Sequence, residues 1–238
     1  MWFEEAERFH VDELAALVSE EAGDELHIVL APQPVWRSEE AVRVLAPPRR
    51  TKPGEPSPAD IAGLLSRPEE ARYGWSSDLV NDIHLRTLVA ARPEFGLIAV
   101  REDEEVFVRT FRCDHLSSVL ARVLPKDSWK SPEPAITVPR SEILAADPET
   151  IGAPRPSREV ARAQALAAAR PFAIAEFHVE IRQCHRRHVS GPVRVYDTDE
   201  GRWAVTARPR YGDEILRFVP ADTGVVADLL DDLRRDLS

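Results

Sequence analysis

Cysteine is nearly absent. Two residues in 238, Cys113 and Cys184, exclude a disulfide framework. Glycine is scarce, with ten in all, so a phosphate-cradling loop has little material. No Gly-x-Gly-x-x-Gly, Gly-x-Ser-x-Gly or His-Glu-x-x-His signature occurs. No apolar run reaches the roughly 18 residues a membrane-spanning helix needs. Met1 to Glu7 is acidic and lacks an apolar core, so it does not read as a secretory leader. These absences together point to a cytosolic protein. Lysine is rare as well: Lys52, Lys126 and Lys130 are the three among 31 basic residues. Arginine supplies the rest, and the plain reading is the codon bias of a GC-rich genome. Acidic residues outnumber basic ones 41 to 31, a formal charge of −10. An acidic chain repels phosphate backbones, which argues against a nucleic-acid partner.

What is present is a regular succession of amphipathic segments. Helical spacing predicts a first helix over Phe9 to Ala22, stopped by Gly23. Leu26 to Leu30 reads as a short strand. Pro47 to Pro58 holds five prolines and no large apolar residue, which predicts an exposed, mobile loop. Ser57-Pro58-Ala59-Asp60 opens a helix, with serine as cap and proline in the first turn. The apolar residues from Leu79 to Val89 predict a further helix over Ser77 to Ala91. The period then changes to two, and Leu97 to Arg101 with Glu105 to Phe111 predicts a hairpin. Asp114 caps a helix that runs to Leu124. Ala135 to Val138 reads as a strand and Ala145 to Pro156 as a loop. Ser157 caps a helix over Arg158 to Arg170. Phe172 to His185 alternates as a long strand, Arg186 to Gly191 turns, and Val193 to Tyr196 is a strand. After the turn at Asp197 to Gly201 come strands at Trp203 to Ala207 and Ile215 to Val219. A final helix is capped by Asp222 or Thr223.

Glu105 to Leu124 lies over Glu214 to Leu233 without a gap at an offset of 109. Leu116, Leu120 and Leu124 then fall on Val225, Leu229 and Leu233. Ala90-Ala91-Arg92-Pro93 similarly answers Ala168-Ala169-Arg170-Pro171. The pattern predicts one domain over residues 1–238, built from two pseudo-repeats at about 1–125 and 126–238. The fold class that follows is α+β: a single central antiparallel β-sheet with flanking helices, internally duplicated with pseudo-two-fold symmetry.

Three stretches in this order resemble the EspG family of type VII (ESX) secretion chaperones. The first is Leu97 to Pro125 with Ile136-Thr137-Val138-Pro139 behind a proline-bearing gap. The second is Phe172 to Tyr196, an aromatic alternating strand with a basic turn and a Gly-Pro-Val restart. The third is Tyr196-Asp197-Thr198-Asp199-Glu200-Gly201-Arg202-Trp203, followed by Val219-Pro220-Ala221-Asp222 and a leucine-rich helix. The resemblance covers roughly residues 58–238, while 1–56 is differently patterned. It implies a cytosolic, non-enzymatic chaperone of actinobacterial type, without cofactor. Its partner would be a helical PE/PPE-like or WxG-like secretion substrate held at its apolar tip. A generic interaction module that forms homodimers, with no export client, is the alternative. The resemblance also places the client at the sheet and the C-terminal region. There the side chains singled out are Trp203 and Val205 on one strand face, Tyr211 in a turn, and Val226 and Leu230 on the last helix.

Residues of the types that carry chemistry read otherwise. His178, Cys184, His185 and His188 lie close in sequence, but Cys184 and His185 alternate across a strand. The neighbouring arginines Arg182, Arg186 and Arg187 would repel a dication, so no metal site is expected. Asp114 beside Cys113 and His115 reads as a helix cap rather than part of a nucleophile pair. No catalytic residue is assigned. The acidic stretch Asp228 to Asp236 reads as the solvated side of a helix.

Overall fold

The computed structural model describes residues 6–32, 56–112, 115–145, 156–184 and 186–237. In chain order the first half contains β1 (Glu7–His10), α1 (Val11–Ala22), α2 (Pro58–Ser66), β2 (Glu70–Asp78), β3 (Ile83–Ala91), β4 (Gly96–Glu102), β5 (Glu105–Phe111) and α3 (Leu116–Ala121). The second contains β6 (Ile136–Pro139), α4 (Arg140–Ala145), α5 (Arg158–Ala168), β7 (Ala173–Gln183), β8 (Arg186–Thr198), β9 (Gly201–Arg210), β10 (Asp213–Pro220) and α6 (Thr223–Asp236). All ten strands join one antiparallel sheet in the order β1-β5-β4-β3-β2-β7-β8-β9-β10-β6. That order reads alike from the β2–β7 pair outward in both directions, and among the described residues each half runs strand, helix, helix, four strands, helix.

Local chemistry sets the helix ends. His10 and Glu13 form a reciprocal capping box for α1, and Gly23 ends it at φ 64°. Ser57 caps α2: the Asp60 amide donates to its Oγ at 3.1 Å, while the Asp60 carboxylate accepts from the Ser57 amide. Ser157 and Asp222 cap α5 and α6 through the amides of Val160 and Val225.

The period of two sorts the sheet into two faces. One face carries α3 and α6 across its centre. They pack together over Val89, Val100, Ala175, Phe177, Val179 and Val195. Among the described residues the other face is covered only at its flanks. Helices α1 and α2 bury Leu14, Val18, Leu64 and Leu65 against Leu88, Leu97, Val106 and Val108. Helix α5 buries Val160 and Ala163 against Trp203, Phe218, Ile136 and Val138. The middle of this second face lies between the two flanking helix sets.

Several sequence expectations are corrected. Ser77 to Ala91 is not a helix: it holds the end of β2, a turn and β3. Leu88 and Ala90 pack on one face and Val89 on the other, so a strand buried on both sides shows no polar alternation and mimics helical spacing. Leu26 to Leu30 is not a strand. It loops inward so that Leu26 and Leu30 are buried and the His27 amide donates to the Leu65 carbonyl at 2.7 Å. Phe9 begins in β1, not in the helix. Arg186 to Gly191 belongs to β8, and the hairpin turns earlier, at Cys184, whose φ is 49°. The Ala-Arg-Pro match fails, because Ala90 and Ala91 end a strand while Ala168 ends a helix.

The offset of 109 also needs revision in the strands. The two-residue tips Asp103-Glu104 and Tyr211-Gly212 correspond at an offset of 108. A slip of one residue would swap the faces of every strand side chain. In the helices the caps His115 and Asp222 stand 107 residues apart, so 109 does not hold at the helix starts either. The expectations for Pro47 to Glu55, the loop at residues 146–155, Cys113, Asp114 and His185 lie outside the described residues.

Candidate functional site

Large apolar side chains that remain open to water gather at one place. Nine are exposed among the described residues; two of them line the open middle of the sheet and three more sit at the hairpin tip that adjoins it. Trp75 and Ile28 line a cleft there of about 610 Å³. Leu79, Val80 and Ile83 form the tip of the adjoining β2–β3 hairpin, with Val80 at 73% exposure. The tip is held in shape from within. Asp78 accepts from the amides of Val80 and Asn81 and from the Asn81 side chain, and these bonds hold its carboxyl below the usual range. The Leu79 amide donates to the Phe172 carbonyl. The apolar residues are therefore displayed on a fixed turn.

The cleft floor is polar and rigid. Tyr73 stacks on His178 at 5.4 Å between ring centroids and meets His27 edge-on at 4.9 Å. Glu176 lies 3.2 Å from His178 Nε2 and accepts from Arg194 Nε at 2.9 Å. Below them Glu180 is fully buried, 3.3 Å from His27 Nε2 and 2.7 Å from Arg187 Nε, with Arg182 Nη2 at 2.9 Å. Burial pushes the Glu180 carboxyl up. The hydrogen bonds and charges of His27 and Arg187 outweigh that effect and hold it below the usual carboxylate range. Burial pushes the Tyr73 hydroxyl up despite the nearby Arg187. This network ties the loop bearing Ile28 and Val29, one wall of the cleft, to the central strands.

Gly74 completes the floor. A Cβ here would run into the Glu176 carbonyl oxygen and the Phe177 ring, so β2 and β7 meet at a position open only to glycine.

The residues singled out from sequence are not brought together. Trp203 is 1% exposed in the core beneath α5, where its Nε1 has no hydrogen-bond partner among the described residues, and Val205 is half-buried beside it. Val226 and Leu230 are fully buried on the opposite face. Tyr211 is 97% exposed at the β9–β10 tip, far along the chain from the cleft, with φ 51° and the Arg210 guanidinium 5.5 Å from its ring. Sequence reasoning misses the apolar hairpin tip because it places Leu79, Val80 and Ile83 on the buried side of a helix. The signal that marks the tip is Asp78 with Asn81 and Asp82, a turn composition between two runs of strand formers.

The histidines of the basic stretch fall on different faces of the sheet. His178 lies in the cleft floor, while His188 pairs with Ile181 on the opposite face. No group of three or more His, Cys, Asp or Glu suited to a metal occurs among the described residues. None of the described helices is long and apolar enough to cross a membrane.

A comparison with curated protein sequences finds no match. Among solved structures, the chain is similar to the Mycobacterium tuberculosis type VII secretion system chaperone EspG5, solved in complex with a PE25-PPE41 dimer. The TM-score is 0.68 at 17% identity, and the match covers 98% of this chain and 97% of that one. At that identity the likeness is one of fold. The sequence itself carries the family: the EspG family model matches residues 10–232, from the cap of α1 into the last helix. The chain belongs to the EspG family.

Proposed function

We propose that this chain is a cytosolic, non-enzymatic chaperone for a helical PE/PPE-type substrate of type VII secretion. In this reading it holds the substrate's apolar tip at the β2–β3 hairpin and the cleft beside it. The observation that carries the reading is the exposure of Leu79, Val80 and Ile83 at the β2–β3 tip, beside a cleft lined by Ile28 and Trp75. Exposed apolar side chains gathered in this way mark a docking surface, and large ones at its centre dominate the binding energy. The EspG fold and family membership support it, since the EspG5 relative was solved with a PE25-PPE41 dimer.

Physically, the surface suits a helical tip. The hairpin supplies apolar side chains that would otherwise stay wet, and the cleft floor supplies Glu176, His178 and Arg194 for the polar rim. No covalent step is required. The reading takes residues 1–238 as one functional unit made of two related halves, which the mirrored strand order supports. The residues Trp203, Val226 and Leu230 then act as the platform's core. Of the five side chains singled out from sequence, Tyr211 is the one available for direct contact without rearrangement.

The test is co-expression with a PE–PPE pair encoded beside the gene, followed by affinity capture. Capture by the wild type and its loss in a Leu79→Asp/Val80→Asp variant of unchanged melting temperature support the proposal. Equal capture by that variant would overturn the hairpin assignment. If no pair is captured and the chain elutes as a homodimer, the interaction-module reading takes its place.

A further inference from the structure

The second half of the sheet forks. Strand β8 runs from Arg186 to Thr198, but it pairs with β9 only from Val193↔Thr206 to Thr198↔Gly201. Among the described residues, β8 beyond that point pairs only with β7, and β9 from Ala207 to Arg210 pairs only with β10. The register shift opposite Phe177, at Gly191-Pro192, is where the two hairpins part. The first half has no such fork among the described residues, because β3 pairs with β4 from Leu85 to Ala91 and β4 ends there at its hairpin. Each arm of the fork therefore offers one edge with no described strand beside it.

The two edges are not equivalent. Pro209 cannot donate a hydrogen bond, so β9 is a poor template. Arg186 to Ser190 contains no proline and is exposed along Arg186, Arg187, His188 and Val189, with Val189 at 41% exposure. The charge on the two facing strand ends is one-sided. In a chain of net charge −10, no Asp or Glu occurs between Glu180 and Asp197 or between Glu200 and Asp213. The arms carry Arg186, His188 and Arg210, besides Arg187, which is engaged with Glu180, and Arg208, which is engaged with Asp236.

We propose that the free edge of β8 over Arg186–Ser190 is a strand-addition site for an extended acidic segment of a protein partner. Main-chain hydrogen bonds to an exposed edge would supply affinity, and alternate side chains specificity. Arg186 and His188 share one side of the strand, where the added segment presents carboxylates. Val189 lies on the other, where it presents small apolar side chains. Arginine on an edge also deters unwanted pairing between copies of the chain. The segment that overcomes this deterrent is one whose charge is opposite. The site is separate from the β2–β3 hairpin tip and does not depend on the client reading.

The test uses a fluorescein-labelled heptapeptide of alternating glutamate and valine, titrated with the full chain and read by anisotropy. The expected result is saturable binding. Methylation of alternate peptide nitrogens should weaken it by about tenfold or more, and so should the exposed double substitution Arg186→Glu/His188→Glu. A Leu79→Asp/Val80→Asp variant should bind the heptapeptide as the wild type does. Equal binding by the N-methylated peptide would reduce the effect to charge attraction and overturn strand addition. So would undiminished binding by the Arg186→Glu/His188→Glu variant, or no binding at all. A concentration-dependent dimer that the peptide fails to dissociate would assign the edge to a second copy and overturn the partner proposal.

Discussion

Glu180→Ala is the most informative single change beneath the cleft. The wild-type carboxylate is fully buried and faces three cations or potential cations, His27, Arg182 and Arg187. Removing one member of a buried charged cluster costs about 3–5 kcal/mol, because its partners lose their compensation. The partners here are not equally trapped. The side chains of Arg187 and Arg182 are 40% and 27% exposed and can turn to water, whereas that of His27 is 2% exposed and cannot. The lower end, about 3 kcal/mol, is therefore expected. A chain of this size loses about 2–4 °C per kcal/mol, so the melting midpoint should fall by roughly 6–12 °C.

The same change has a pH signature. The folded Glu180 carboxyl sits below its unfolded value, so its contribution is fully present above that value, about 4.3, and is lost as pH falls through the folded value. Urea midpoints for wild type and variant should differ at pH 7 and converge in acid below about pH 4. Glu180→Gln, which keeps the shape and one acceptor, should lie between the two. A Glu180→Ala midpoint within about 2 °C of wild type, or a gap that persists unchanged into acid, would refute the claim that this network holds the cleft wall.

Three other outcomes follow from named contacts. Tyr211→Asn should raise the melting midpoint by a few degrees, since it relieves a left-handed tyrosine worth about 1–2 kcal/mol and creates an Asn-Gly turn; a lower midpoint in a thermal scan would count against it. Gly74→Ala should abolish soluble folded protein, as judged by expression and circular dichroism, because its Cβ would meet backbone rather than a movable side chain. Asp197→Ala should destabilise by about 3–5 kcal/mol in urea titration, because it strands the buried Arg202 guanidinium, whose Nε and Nη2 donate to the Asp197 carboxylate at 2.6 and 2.8 Å.

Much of this architecture is legible in the sequence, and the failures share a cause. Caps, hairpins with alternating patterns and the terminal helix are local signals, and Ser57, Ser157 and Asp222 act as their composition indicates. The central strands are different. Between Glu70 and Ala91 the chain packs on both sides and against strands about a hundred residues away, so burial rather than periodicity decides its conformation. That error conceals the exposed hairpin tip. The C-terminal stripe is hard to read for a related reason. A stripe at 225, 226, 229, 230 and 233 looks broad enough for both core and partner, yet most of it is consumed by the contact between α6 and α3. Sequence shows that a side chain is apolar, but only the topology shows whether another element already covers it.

The mirrored sheet also explains why its two ends should not bind the same thing. A two-fold relation about the β2–β7 pair places the β2–β3 and β4–β5 tips at one end and the β7–β8 and β9–β10 tips at the other. Equivalent tips would be expected to carry equivalent surfaces. Here they are opposites. The first pair holds Leu79, Val80 and Ile83 with Asp78, Asp82, Asp103 and Glu104, and β4 pairs with β3 along its whole length. The second pair holds Arg186, His188 and Arg210, with Asp213 and Glu214 on the far side of the last tip, on arms that part from one another. The unlike balance of charge favours different ligand chemistries at the two ends, and an apolar fixed turn differs from an open strand edge in what it can grip. Divergence at the tips, with the buried helix contacts retained, is the pattern expected if one end holds a helical client and the other an extended acidic segment. A chain variant with the two tip sequences exchanged should therefore fold, lose capture of the helical client at the first end, and lose the acidic heptapeptide at the second. Retention of either ligand at its original end, located by crosslinking, would show that the tips do not set the specificity of the two ends.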